Sequence, residues 1–323
     1  MIKRLLVGFV VLVAVIFAAA AFYVASRQNL RFDHTPYPHL AFNSDSATIA
    51  RGHYIVRVMA PCAACHGDPN QYQAYQAGDE TPLSGGHKFP IPPGNFYVRN
   101  ITPDAETGVG NFGDSTIARA LRYGVGHDGR ALLPFMEMQG LSDEDLAAVV
   151  AYLKSQPPVH NVVPNHEYNL LGKVVKATVL ANPVGPHATP PAVTPHGPTV
   201  ENGKYIVESV ALCGACHTQR DMSTGAFTGQ MFAGNSSFED EMMPGRTWHP
   251  PNITSGGRLA SLSEDQFIAR FRAGRAIPGS PMPWQAFQKL EEDDLRAIYR
   301  FLMTVPKSTL DQGAPFVDKP TKS

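Results

Sequence analysis

Cys62-Ala63-Ala64-Cys65-His66 and Cys213-Gly214-Ala215-Cys216-His217 use every cysteine in this 323-residue chain. Two cysteines separated by two residues and followed at once by histidine form C-x-x-C-H, the pattern through which c-type haem is attached. The chemistry sets the spacing. Two thiols at that separation add to the two vinyl groups of one haem as thioethers, and the next residue brings an imidazole nitrogen to the iron. A redox-active dithiol and half of a zinc site are the other chemistries open to a C-x-x-C pair. Two complete copies point instead to two covalently bound c-type haems, with no cysteine left for a disulfide or a separate nucleophile. Gly and Pro, 28 of each, fit a loop-rich chain whose core is filled largely by cofactor.

The sequence around the two motifs also repeats. Gly52-His53-Tyr54-Ile55-Val56 precedes the first motif and Gly203-Lys204-Tyr205-Ile206-Val207 the second, at the same offset. Asn100-Ile101-Thr102 is answered by Asn252-Ile253-Thr254, and Asp145-Leu146 by Asp294-Leu295. The period is too long for a solenoid. It reads as a duplicated domain, over 45–160 and 198–312, joined by a proline-rich linker at 161–197 and followed by a tail at 313–323. The linker's composition predicts an extended, semi-rigid segment. Its apolar run Leu170-Leu171-Gly172-Lys173-Val174-Val175 predicts packing along the domains.

Three helices are predicted in each domain. The first begins near Ser44 or Ser46 and runs toward the haem motif, with Gly52 and Tyr54 facing Tyr152 of the last helix. The middle helix starts near Asp114 or Ser115 and stops at Gly124, a C′ glycine. Its twin opens on Ser263 and Gln266, a capping box, and stops at Gly274. The last helix opens on Ser142 and Asp145, an acidic variant of that box, and carries apolar residues at helical spacing.

Leu5 to Ser26 is apolar and uncharged behind Lys3 and Arg4. About twenty such residues span a bilayer, and the basic residues before them keep the start cytoplasmic and send the remainder out. Residues 1–26 are therefore expected to be a membrane anchor, with a cleaved signal peptide as the competing reading. Residues 27–44 form a polar spacer. A formal net charge of -1 gives no sign of a nucleic-acid partner.

A haem held by one histidine has a second iron face, and its ligand divides electron carriers from enzymes. Met282, set between Pro281 and Pro283 ahead of the last helix, is the expected distal ligand in the second domain. Leu133-Pro134-Phe135-Met136-Glu137-Met138 occupies the matching place in the first domain. Met136 is expected to bind there, with Met138 as the alternative. His53, His87, His127 and His249 are read as surface or propionate-contacting residues rather than ligands.

These residues resemble the class I cytochrome c superfamily. More closely, they look like the multi-haem cytochrome subunits of bacterial membrane-bound alcohol, gluconate and aldehyde dehydrogenases and related anchored dihaem cytochromes. Besides the haem motifs, the resemblance is carried by Asn100-Ile101-Thr102-Pro103-Asp104, by Leu141-Ser142-Asp143-Glu144-Asp145-Leu146 and by Met282-Pro283-Trp284. Those dehydrogenase subunits usually have three haem motifs where this chain has two, and their Met-Pro ligand pair reads Met136-Glu137 here. The resemblance implies an all-α fold of two tandem class I cytochrome c domains after a transmembrane helix. His66 and His217 would be proximal iron ligands, methionines distal ones, and Asn100 and Asn252 would lie in loops at the haem edge. The implied function is electron transfer in the periplasm from the bacterial inner membrane. Its redox partners would be a membrane dehydrogenase, a cytochrome bc-type complex or a terminal oxidase. A dihaem peroxidase with one open haem is the alternative, suggested by the Met136 loop.

Overall fold

In a computed structural model, the chain is described apart from residues 61, 222–225, 236–237, 240–244 and 319–323, so the end of the tail read at 313–323 lies outside the described residues. Helix α1, Ile2–Arg27, projects from the rest with no buried residue. Helix α2, Ser46–Tyr54, is capped by the Asp45 carboxylate, which accepts the Thr48 N–H. It continues without a break into a π-helical turn, Ile55–Met59, which delivers the chain to the first haem motif. That motif forms the short helix α3, Ala63–His66, and α4, Tyr72–Ala77, follows. A hairpin of β1, Lys88–Ile91, and β2, Gly94–Tyr97, leads to α5, Asp114–Tyr123, and α6, Asp143–Ser155. The linker contains β3, Glu167–Tyr168, and α7, Leu170–Thr178.

Among the described residues, the second half follows a similar order, without a counterpart of α4 and with one more helix before the last. Helix α8, Val200–Tyr205, runs into its own π-turn, Ile206–Val210, and then into α9, Gly214–His217. Strands β4, Phe238–Glu239, and β5, Arg246–Trp248, precede α10, Glu264–Arg272, α11, Trp284–Phe287, and α12, Glu292–Thr304. Strand β6, Phe316–Asp318, closes the described chain. Gly124 after α5 and Gly274 after α10 have φ of 62° and 68°, the left-handed conformation that ends a helix. Ser263 and Gln266 close the capping box of α10.

The fold departs from an all-α reading. Two antiparallel three-stranded sheets form, in the orders β1-β2-β3 and β4-β5-β6. In each, the outer strand comes from far along the chain: Asn95 lies opposite Glu167, and Thr247 opposite Val317. Four of the six strands among the described residues are only two or three residues long. Their role is to pin the linker and the C-terminal segment onto loops of the two halves. The linker also departs from a purely extended segment. Asn169 caps α7 by accepting the Gly172 N–H, which starts a helix in the middle of the proline-rich stretch.

The core of each half is a close helix crossing. Ala148 O lies where a Cβ on Gly52 would be 1.9 Å away, and Ala297 O stands in the same relation to Gly203. Only glycine lets α2 approach α6, and α8 approach α12, at that separation. His53, rather than Tyr54, is the residue whose ring meets Tyr152, edge-on at 5.3 Å.

Tyr54 reaches into the other half, and Tyr205 reaches back. Ser142 caps α6 by accepting the Asp145 N–H, but the Asp145 carboxylate does not return to the Ser142 N–H as a local box would require. Instead Ser142 N–H donates to Tyr205 Oη at 3.0 Å, and that hydroxyl donates to Asp145 Oδ2 at 2.7 Å. The mirror arrangement caps α12: Glu291 N–H donates to Tyr54 Oη, which donates to Asp294 Oδ2, each at 2.7 Å. Each half thus supplies the tyrosine that completes the N-terminus of the other half's last helix. Arg51 holds Asp145 through two hydrogen bonds of 2.8 Å, and Asn202 holds Asp294 at 3.1 Å.

Candidate haem-binding sites

His66 leaves the π-turn and α3 with its ring fixed. Its Nδ1–H donates to Arg99 O at 2.9 Å, and its own carbonyl accepts the Gly85 N–H at 2.8 Å. His217 is held alike: Nδ1–H donates to Pro251 O at 2.8 Å, and its carbonyl accepts the Gly234 N–H at 2.9 Å. A carbonyl can only accept, so the proton sits on Nδ1 and the Nε2 lone pair is left for a metal. Burial holds both imidazoles below their ordinary value, against the pull of those carbonyls, which keeps them neutral and able to ligate.

Burial pushes the half-buried Cys62 and Cys213 thiols up to about 12. A redox dithiol needs a thiol lowered toward neutrality, so these pairs are poorly suited to that chemistry. The zinc reading lacks ligands too: among the described residues, no cluster of three or more His, Cys, Asp or Glu side chains assembles. None of the four cysteines forms a disulfide. Two thiols and a neutral imidazole with Nε2 available are the donor set that attached haem requires. Buried Met59, Leu83 and Val58 in the first half, and Phe232 and Val210 in the second, supply apolar surroundings near the motifs.

The segments that carry the Arg99 and Pro251 carbonyls are held by their neighbours. Asn100 is buried. Its amide donates to Thr107 Oγ1 at 3.0 Å and Val159 O at 2.8 Å, and its Oδ1 accepts from Thr102 N and Oγ1. Asn252 makes the equivalent set with Ser308 O, Leu310 O and Thr254. Each asparagine ties the loop bearing the histidine's acceptor to the chain just past the last helix. Asn100→Ala would leave several of these groups unpaired and is expected to cost about 2–3 kcal/mol. Chemical denaturation checks this, with Asn252→Ala behaving alike.

Of the expected distal ligands, Met282 is half-buried against the core, and its carbonyl accepts the Trp284 N–H at 2.7 Å. Met136 is likewise half-buried against the core, whereas Met138 is 6% exposed and within it. Glu137, between them, pairs with Arg220 at 3.0 Å, three residues past His217. The first half's methionine loop is therefore tied to the edge of the second haem motif. Helix α11, which follows Met282, packs in turn on the π-turn before Cys62. Sequence patterns gave no sign of this exchange. The other histidines are engaged elsewhere: His53 with Glu80 at 2.7 Å, His87 edge-on to Phe89, His127 stacked on Phe112, and His249 with Ala314 O.

Known proteins similar to this chain include cytochromes c and cytochrome subunits of dehydrogenases. The cytochrome c family model matches residues 49–157. The chain is 30% identical over 287 residues to the cytochrome c subunit of a quinone alcohol dehydrogenase from Gluconobacter oxydans (strain 621H), covering 82% of this chain and 56% of that one. It is 29% identical to the fructose dehydrogenase cytochrome subunit of Gluconobacter japonicus, over 80% of this chain and 53% of that one. It is 26% identical to a diheme cytochrome c-type protein of Cereibacter sphaeroides, over 76% of this chain and 82% of that one. The chain spans little more than half the length of the dehydrogenase subunits it matches. Residues 49–157 therefore form a domain that matches the cytochrome c family.

Proposed function

We propose that this chain is a membrane-tethered dihaem cytochrome c, built of two tandem cytochrome domains, that receives electrons from a dehydrogenase and passes them on to the respiratory chain. The observation that carries the reading is the duplicated histidine geometry. Two C-x-x-C-H motifs each hold an imidazole by Nδ1–H to a backbone carbonyl, at 2.9 and 2.8 Å. The relatives named as dehydrogenase cytochrome subunits support a dehydrogenase as donor, and the diheme relative supports two haems. A tether is supported by α1, a 26-residue helix containing an 18-residue stretch of mean hydropathy 3.0 with none of that stretch buried. At 1.5 Å per residue it is about 39 Å long, enough to cross a hydrocarbon core of about 30 Å.

Cys62 and Cys65 would hold one haem and Cys213 and Cys216 the other, with His66 and His217 as proximal ligands and Met136 and Met282 as distal ones. Haem iron so ligated supplies a ferric–ferrous couple, with a potential raised by methionine. The chain's own contribution is rigidity. The carbonyls of Arg99 and Pro251 fix each ring plane, and Asn100 and Asn252 fix those carbonyls. Fixed ligands need little rearrangement when charge changes, which favours transfer over bond-making. The outer, periplasmic side of an inner membrane is the compartment this reading requires.

Haem content by alkaline pyridine, with optical and EPR spectra of both oxidation states, tests the proposal. Two haems per chain, both low-spin and both with the far-red methionine–iron band, are expected. Met282→Ala should remove that band from one haem and lower its potential, and Met136→Ala should do so for the other. A single haem per chain, or a high-spin haem that binds peroxide in the unmodified protein, would overturn the carrier reading.

A further inference from the structure

We propose that α7 is a second membrane contact, whose exposed apolar face lies at the boundary of lipid headgroups and acyl chains beside the point where α1 leaves the bilayer. This rests on α1 spanning the membrane, as proposed above. Helix α7 packs against α1. The contact is at the C-terminal end of α1: Arg27 Nε–H donates to Ala177 O at 3.3 Å, and Lys176 Nζ donates to Asn29 Oδ1 at 3.0 Å. Two features set the depth of that end. Lys3 and Arg4 mark the opposite end of the apolar run. Tyr23, with the Arg27 guanidinium 5.3 Å from its ring centre, is the aromatic–cation pair suited to a membrane–water boundary. The α7 backbone that accepts Arg27 is therefore at headgroup level.

The face of α7 turned to protein is made of small residues. Gly172 packs so closely that a Cβ there would lie 2.2 Å from Pro93 O, and Ala177 is wholly buried. The opposite face carries Leu170, Leu171 and Val174, exposed by 77%, 50% and 37%, and Val179 follows them, also exposed. Asn169, Leu170, Leu171 and Val174 together form an open, mostly apolar surface. In water these side chains would gain nothing from exposure. At the bilayer surface they are buried, and exposed Lys173 faces phosphate groups. Helix α7 has no acidic residue to oppose that approach.

The consequence is orientation. Asn169 binds α7 to the β1–β2 turn, by its amide to Pro92 O at 2.8 Å and its N–H to Pro93 O at 3.2 Å. A single helix leaves the body free to swing about Arg27. A second contact, fixed to the first half through that turn, holds one edge of the protein toward the membrane plane, where membrane-bound redox partners lie.

The test uses the full-length holoprotein in vesicles of phosphatidylethanolamine and phosphatidylglycerol doped with a phospholipid carrying a diazirine near the top of its acyl chain. Illumination and peptide mapping by mass spectrometry then locate the adducts. Adducts are expected on α1 and on Leu170, Leu171 and Val174. In Leu171→Glu/Val174→Glu, where both residues are exposed and folding is not at stake, the α7 adducts should be lost while those on α1 remain. Labelled α1 with unlabelled α7 in the unmodified protein overturns the proposal and leaves the tether standing. Labelling of neither removes the tether and the proposal with it. Adducts on α7 that persist in the double-glutamate variant also overturn it.

Discussion

Gly52→Ala is expected to prevent the first half from packing, with a loss of stability of about 3 kcal/mol or more. Overfilling a core usually costs about 1–3 kcal/mol, because side chains can give way. Here the added Cβ would lie 1.9 Å from Ala148 O and 2.7 Å from Tyr152 Cβ. A backbone carbonyl inside α6 cannot move without parting the two helices. The damage also reaches the haem motif, because α2 runs directly into the π-turn that positions Cys62. Gly203→Ala is expected to do the same through Ala297 O, again 1.9 Å away. Gly185→Ala provides a control, since the nearest atom to its Cβ is 3.8 Å off. Haem per chain and denaturation midpoints give the readout. Near-normal values for Gly52→Ala would mean that α2 and α6 are not in this close contact.

Asp145→Ala is expected to cost about 3 kcal/mol and to weaken both halves together. The carboxylate is 1% exposed and accepts two Arg51 bonds and the Tyr205 hydroxyl. Removing one partner of a buried pair costs about 3–5 kcal/mol. The Arg51 side chain keeps 28% of its surface in water, which places the loss at the low end. Tyr205→Phe removes only the link between halves and should cost about 1–3 kcal/mol. A double-mutant cycle should show strong coupling between these two positions, although they lie in different halves. Additive effects would count against the shared cap. Burial, and then the neighbouring carboxylates, raise the Tyr205 and Tyr54 phenols well above their ordinary value. A raised phenol contributes stability that is complete below the unfolded value of about 10 and is lost only as pH rises beyond it. The tyrosine caps should therefore hold unchanged across the neutral range and fail in strong alkali.

The cross-capping also bears on how a duplicated chain behaves as one body. Tyr54 and Tyr205 occupy the same place in the repeat, as do Asp145 and Asp294. Duplication of one tyrosine and one aspartate yields two reciprocal contacts, as in a symmetric dimer. Arg220 with Glu137, and Arg275 with Gln76, add further ties between halves. The halves are then expected to unfold in a single transition.

Much of the site was open to reading before any fold was known. The haem motifs, the Ser142 and Ser263 caps and the glycine stops after α5 and α10 are local signals. Each depends on residues within a few positions of one another, so a linear pattern carries it. The pairing of Asn100 with Asn252 was legible as a repeat, yet its meaning was not. Their role in holding the carbonyls that orient His66 and His217 depends on Val159, Ser308 and Leu310, some 60 residues away.

Tertiary structure alone decided the rest, because those features join groups whose separation in sequence leaves no periodicity. The π-turns arise where α2 and α8 must carry the chain from a tight helix crossing to a fixed haem motif. Strands β3 and β6 are too short to announce themselves and exist only against partners far away. Asp145 looked like part of a local capping box, and the fold instead placed a tyrosine from the other half between it and the Ser142 N–H. The linker was read from its prolines as extended, yet Asn169 starts a helix there that packs on α1 and leaves Leu170, Leu171 and Val174 uncovered. Sequence by itself supplied the two C-x-x-C-H motifs on which the proposed haem attachment rests. The fold determined how the two halves complete each other, because buried donors and acceptors pair with whatever folding brings within reach, wherever it lies in the chain.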